Sequence, residues 1–304
     1  MKIYLNRSPK TGPWGGGNKT VTKLSEKLVE QGHEVVYELC KGIDIIFCFD
    51  PRPNERGEQY ANFLDYRNKT DCKIIQRVGD LGTHGKPQLT SFVKETIELS
   101  DFLIFPSEWA KEKIEYKKNN YKIVHNAPLE MFYNYRNENS NIVGQKIKVI
   151  THHWSTNPKK GFDYYNTVDR ACRDSKFLSF TYIGRLPEDM EMSNHIEATG
   201  DNNFIAKKLS ESHIYLTASE EEAGANHVLE AMAAGIPVVY HENGGSIPNY
   251  CNGYGLSFED EMSMFVKIRD VAYNYADYKA ATMKYQRNMS NVIEEYIEVI
   301  CNIG

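Results

Sequence analysis

Short apolar runs alternate along this chain with stretches whose apolar residues recur every three or four positions. Lys2–Leu5 reads as a buried strand, and residues 21–31 follow with Val21, Leu24 and Leu28 on one helical face. Gly32 ends that helix as a C-terminal cap. "HEVVYEL", "GIDIIFCF", "CKIIQRV", "FLIFP" and "KIVHN" continue as strands rich in β-branched and aromatic residues, with helical stretches between them. Strands that are apolar throughout, alternating with helices, predict a parallel sheet covered on both faces.

Near residues 134–146 the pattern lapses into "NYRNENSNIVGQK", which is polar, Asn-rich and aperiodic, and reads as a linker. The alternation then resumes. "KIKVITH" is a strand, residues 161–171 a helix, "FLSFTYIG" a strand, residues 205–209 a helix and "IYLTA" a strand. Residues 226–234 form the next helix, followed by "IPVVYH" and a short strand at 256–258; residues 261–300 read as a helical tail. The chain therefore predicts two α/β halves of similar size.

Composition narrows the classes. The 304 residues are 41% hydrophobic and 25% charged, which fits two globular domains. A net charge of -5 argues against nucleic acid as the main ligand, since that calls for a basic face. No apolar run reaches the roughly 18 residues of a membrane span, and "MKIYLNRSPK" turns polar too early for a signal peptide. Six cysteines without a C-x-x-C pair point to reduced thiols, and the expected location is cytoplasmic.

The candidate chemistry sits in "IYLTASEEEAGANHVLEAMAAGIPVV", which reads strand, loop, helix, turn, strand. The loop falls at the carboxyl end of a parallel strand, where open α/β sheets bind ligands. A helix starting near Asn226 presents unpaired N–H groups and a positive dipole end to an anion such as a diphosphate. Gly224 and Ala225 allow close backbone approach. Glu230, four residues after Asn226, lies on the same face one turn deeper. Its carboxylate is placed to accept hydroxyl hydrogen bonds from a ribose, and Glu222 from a second polyol. Two carboxylates flanking a diphosphate site match a nucleotide-sugar.

"EAGANHVLEAMAAGIPVV" resembles the E-x7-E signature of retaining glycosyltransferases of the GT-B fold, family four. "GGGNKTVTKLSEKLVEQGHEV" resembles their N-terminal glycine loop and first helix, and "YKIVHNAPLEMFY" their inter-domain passage. "PKKGFD", "LSESHIYLTAS" and "NGYGLSF" resemble further pieces in the family's order. The resemblance implies two Rossmann-like domains facing each other across a central cleft. Residues 1–140 would form the acceptor domain, completed by a C-terminal helix at 286–304, and residues 146–285 the donor domain. The implied reaction moves a sugar from a nucleotide-sugar, UDP ahead of GDP, to an acceptor hydroxyl with retention at the anomeric carbon. Neither metal nor cofactor is expected.

By the same resemblance Glu222 lies beside the donor sugar, Glu230 binds the ribose, and backbone groups at Ala225, Asn226 and His227 hold the diphosphate. Lys160 neutralises charge on the leaving group, and Gly16 and Gly17 let the first-domain loop approach the phosphates. The family usually carries an arginine five residues before that lysine, where this chain has Ser155; Lys159, His153 or Ser155 would substitute. Arg185, after "YIG", is a candidate for the base or phosphates, with a surface turn charge as its plainer reading. In "IIQRVGDLGTHG", Arg77, Asp80 and His84 are candidates for acceptor contact, beside an ordinary loop with an Arg–Asp pair. His152 and His153 are adjacent on a strand, so they point to opposite faces and make a poor metal pair.

Helical "EWAKEKIEYKKNNYK" is only weakly basic and reads as a solvated face rather than a membrane surface. Two rivals share the fold: a non-hydrolysing UDP-sugar epimerase and a non-catalytic nucleotide-sugar binding protein. A hydride-transferring Rossmann enzyme fits less well, since "GPWGGGNK" departs from G-x-G-x-x-G.

Overall fold

The computed structural model describes residues 1–10 and 16–304. It divides into two compact units, Met1–Asn126 with Met289–Gly304, and Ala127–Asn288. Each is built on an all-parallel six-stranded sheet.

In the first unit β1 (Lys2–Leu5) is followed by α1 (Gly16–Glu30), β2 (Glu34–Val36), β3 (Ile45–Cys48) and α2 (Tyr60–Arg67). Next come β4 (Lys73–Arg77), α3 (Pro87–Leu99), β5 (Phe102–Phe105), α4 (Glu108–Lys113) and β6 (Tyr121–Ile123). The sheet order is β2-β1-β3-β4-β5-β6. Every residue of β3 is fully buried, as a parallel strand covered on both faces requires.

The second unit contains β7 (Ile147–His153), α5 (Phe162–Cys172), β8 (Leu178–Gly184), β9 (His195–Ile196), α6 (Asn202–Ser210) and β10 (Ile214–Thr217). It continues with α7 (Asn226–Ala233), β11 (Val238–His241), α8 (Ile247–Cys251), β12 (Gly255–Phe258), α9 (Glu261–Tyr273) and α10 (Tyr275–Met283). Its order is β12-β11-β10-β7-β8-β9. The last helix, α11 (Met289–Ile303), belongs to the first unit, where it packs on α1. Val292, Ile293, Tyr296 and Ile300 form its buried stripe at helical spacing.

Three features depart from the sequence reading. Gly16 and Gly17, expected in a phosphate-approaching loop, form the first turn of α1; the rest of that loop, residues 11–15, lies outside the described residues. The basic "EWAKEKIEYKK" stretch keeps only six helical residues, because Glu115 turns into the left-handed region at φ 63°. The change of unit falls at 126/127, so residues 127–140 pack with the second unit rather than the first.

Side chains account for this last shift. Phe132 is fully buried in the second unit's core. Arg136 donates to the carbonyls of Ala233, Met283, Thr282 and Tyr285, at the C-terminal ends of α7 and α10. A cation there adds donors to carbonyls at the helix ends and complements both dipoles. Linker-like composition thus hides an anchor. Replacing Arg136 by Ala removes these bonds and is expected to cost about 2–4 kcal/mol, read as a lower urea midpoint at unchanged slope.

Candidate active site

The site is built at the carboxyl end of the second sheet by two close backbone approaches. Gly161 sits at φ 80°, and a Cβ there would lie 2.3 Å from the Ala218 Cβ. Only glycine lets the short 3-10 turn Pro158–Lys160 press against the end of β10. Gly245 has φ 71°, and a Cβ on it would lie 2.5 Å from the Glu222 carbonyl oxygen. It opens the path by which the segment after β11 runs beside residues 221–222.

Backbone hydrogen bonds hold the loop between these two contacts. Glu220 N–H donates to the Lys159 carbonyl at 2.8 Å, and Glu221 N–H to that of Asn243 at 2.9 Å. Ser246 N–H donates to the Glu222 carbonyl at 2.8 Å, and the Ser246 hydroxyl accepts from Ala225 N–H at 3.2 Å. Glu221 is held in the left-handed region at φ 52°.

Two lysine–glutamate pairs close across this frame. Lys159 Nζ pairs with Glu221 Oε2 and Lys160 Nζ with Glu222 Oε1. The second pair is the more enclosed, with side chains 12% and 14% exposed, against 39% and 26% for the first. Low exposure strengthens their attraction and raises the cost of separating them without a replacement ion.

Glu230 stands one turn into α7, and its Oε2 accepts from His152 Nε2, at the end of β7, at 2.9 Å. His153 takes the opposite sheet face, as alternation along a strand requires. Its Nε2 meets the Tyr165 hydroxyl at 2.6 Å, and that hydroxyl accepts from Ala218 N–H at 2.9 Å. His227 Nε2 meets the Thr217 hydroxyl at 3.1 Å. Burial is the largest influence on His227 and pushes its pKa down to about 3, with the Lys160 charge adding to the fall.

Glu222, Ala225, Asn226, His227 and Glu230 thus lie on the loop after β10 and the start of α7, with Lys159 and Lys160 brought to them on the turn after β7. Other expected residues lie elsewhere. Ser155 is exposed, and its hydroxyl closes a local turn by accepting from Asn157 N–H at 3.1 Å. Arg185 is exposed on the turn after β8. It lines a concavity of about 710 Å³ with Thr156, Glu188, Glu191, His195 and Glu197, whose walls do not include Lys160, Glu222 or Glu230.

In the first unit Arg77, expected at an acceptor, is instead buried. Its Nε donates to the Tyr296 hydroxyl at 2.8 Å and its Nη2 to Asn126 Oδ1 at 3.2 Å, tying β4 to α11 and to the end of the unit. Asp80 accepts from Lys86 Nζ at 3.0 Å and from Gly82 N–H at 2.9 Å, and His84 is half-buried. Among the described residues no group of three or more His, Cys, Asp or Glu side chains is arranged to hold a metal. No described helix is long and apolar enough to cross a membrane.

The sequence reading missed Gly245, Ser246 and the His152–Glu230 contact. "GGS" two residues after an apolar strand was a usable signal for the first two, since it marks a close-approach turn at the same end of the sheet.

Two all-parallel six-stranded sheets, each covered by helices, give the chain the GT-B fold. Residues 148–274 match the family model described as Glycosyl transferases group 1. No curated protein sequence matches the chain. Solved structures similar in fold include a sucrose-phosphate synthase from Thermosynechococcus elongatus, with TM-score 0.74 and 12% identity over 100% of this chain and 99% of that one. WaaG, a glycosyltransferase involved in lipopolysaccharide biosynthesis, is similar with TM-score 0.67 and 15% identity over 99% of both chains. HepE of Anabaena, solved in complex with UDP-glucose, gives TM-score 0.64 and 14% identity over 99% of both.

His227 supplies a pH test. Its folded pKa of about 3 lies below the ordinary value of 6.5, so the ring is neutral in the folded protein at pH 7. Its contribution is fully present above 6.5 and is lost as pH falls from there toward 3, because the unfolded chain takes up a proton the folded one refuses. His227→Gln is expected to flatten the decline in urea midpoint between about pH 7 and 5; an unchanged decline would show the ring is charged in the fold.

Proposed function

We propose that the protein transfers a sugar from a nucleotide-sugar, UDP ahead of GDP, to an acceptor hydroxyl with retention at the anomeric carbon. The observation that carries this reading is the enclosed Lys160–Glu222 pair at the head of α7, with Glu230 one turn deeper on the same helix. UDP-glucose bound in the HepE structure supports the choice of base by analogy of fold.

In this reading the diphosphate lies at the start of α7, facing backbone N–H groups and the positive end of the helix dipole. Lys160 leaves Glu222 for a phosphate oxygen and neutralises the charge that grows as the donor bond breaks. Glu222, released, accepts hydrogen bonds from the donor sugar's hydroxyls. Glu230 accepts from the ribose. The anomeric C–O bond to phosphate breaks while the acceptor oxygen bonds to the same face of that carbon, and the departing phosphate oxygen takes the acceptor proton. Lysine supplies the cation, so the scheme uses no metal. The first unit is assigned to the acceptor, with Asp80 and His84 as its contacts.

Ser155 and Lys159 bear on a binding-only alternative. Neither stands in plainly for a second phosphate-binding cation: the serine closes a turn, and the lysine pairs with Glu221. Nucleotide release from UDP-, GDP-, ADP-, dTDP- and CMP-sugars, without acceptor, separates the possibilities. Slow release from one donor is expected, reduced about 100-fold or more in Lys160→Ala and in Glu222→Gln. Donor binding without release, with or without a panel of glycoside acceptors, would favour the binding protein. Conversion of the donor to an epimer would replace transfer altogether.

A further inference from the structure

We infer that His152 is a positioning residue for Glu230 and that the pair makes the site selective for ribonucleoside diphosphates over their 2′-deoxy counterparts. This rests on the reading of Glu230 as the ribose acceptor.

The His152 side chain is 5% exposed and that of Glu230 is 12% exposed, so their 2.9 Å hydrogen bond is screened from water. An ionised carboxylate only accepts, so Nε2 carries the donated proton. Nδ1 is buried and has no hydrogen-bond partner. A proton placed there would be a buried donor with nothing to receive it, so the neutral Nε2–H form is the one that fits.

Tyr215 fixes the direction of this donor. Its hydroxyl accepts from His152 N–H at 3.2 Å and returns a bond to the His152 carbonyl at 3.3 Å. Its ring also stands edge-on to the imidazole, 5.5 Å between centroids at 72°. His152 is therefore held at both backbone and ring, and α7 presents Glu230 to a fixed donor.

The chemical identity of the partner matters. A lysine or arginine would cancel the charge of the carboxylate. A neutral imidazole orients it and leaves the charge, so the oxygens remain strong acceptors for hydroxyl donors. Adjacent ribose hydroxyls are such donors, and a carboxylate with fixed orientation accepts both at once. A 2′-deoxyribose offers one fewer. Sites built to bond a hydroxyl discriminate strongly against analogues that lack it. The donor class that follows is a ribonucleoside diphosphate sugar, with dTDP-sugars disfavoured.

Calorimetric binding of UDP, GDP and their 2′-deoxy forms tests this in the full-length protein. The wild type is expected to favour the ribose form of its preferred nucleotide by roughly 10-fold or more. His152→Phe keeps a ring against Tyr215 but removes the donor. It is expected to weaken the ribose form by about 10-fold and bring the ribo/deoxy ratio close to one. His152→Gln, which restores an N–H donor, is expected to recover part of the ratio. Should His152→Phe fold poorly, as judged by circular dichroism, His152→Leu provides the same comparison with a smaller side chain. Equal weakening of both forms, or an unchanged ratio, would reduce His152 to a structural contact and overturn the inference. Failure of the wild type to bind any nucleoside diphosphate would instead remove the donor reading of the site, and this inference with it.

Discussion

A carboxylate withdrawn from water must find partners that replace its hydration. The second unit meets this constraint twice on one short segment. Glu222 faces the Lys160 ammonium and Glu230 faces the His152 imidazole. The two solutions differ in charge. The first makes a neutral pair, stable at rest and open to exchange when a competing anion arrives. The second keeps its negative charge and gains only direction. A diphosphate and a ribose need these two things respectively: a cation that can move to them, and a carboxylate already in place.

The Lys160–Glu222 pair depends on backbone contacts that no side chain permits. Without the left-handed Gly161 the turn bearing Lys159 and Lys160 would stand away from β10, since a Cβ at that position overlaps Ala218. Without Gly245 the chain after β11 would collide with the carbonyl of Glu222. The glutamate loop is therefore clasped from two sides, by the turn after β7 and by the turn after β11. Its position is set by hydrogen bonds to main chain rather than by its own packing, and that makes an acidic, small-residue segment rigid enough to orient charge.

Most of the fold was legible in the chain because strands of a parallel sheet are covered on both faces, and such strands must be apolar from end to end. The E-x7-E segment was legible because strand, breaker residues and helix leave it one place, at the carboxyl end of β10. What escaped the reading was relational. Arg77 sits in a motif-like stretch, yet Gly79 leaves room for its guanidinium to fold inward, where Tyr296 from the far end of the chain receives it. Arg136 lies in polar text that looks like a linker, but its partners are helix-end carbonyls about 100 to 150 residues away. His152 looked like half of an idle histidine pair. Its role depends on Tyr215 and Glu230, 63 and 78 residues on. Periodicity reports which face is buried, not which polar atom will be waiting there.

Tandem pairing of Lys159–Glu221 and Lys160–Glu222 bears on the serine at position 155. Two lysines stand against Glu220, Glu221 and Glu222, so the segment carries no net positive charge at rest and an arriving diphosphate meets no net attraction from these side chains alone. Attraction must come from exchange. Each lysine that turns to phosphate leaves a carboxylate to be satisfied by something else. Glu222 can be satisfied by sugar hydroxyls, which arrive with the donor. The proposed pose assigns no donor hydroxyl to Glu221, and its backbone at φ 52° fixes it where Lys159 can reach. In the proposed pose Lys160 is therefore the cation that exchanges, while Lys159 stays with Glu221 and holds the turn in place. On this logic one mobile cation and the amides of α7 carry the diphosphate, and a bare nucleoside diphosphate should be held less well than one bearing the sugar that compensates Glu222.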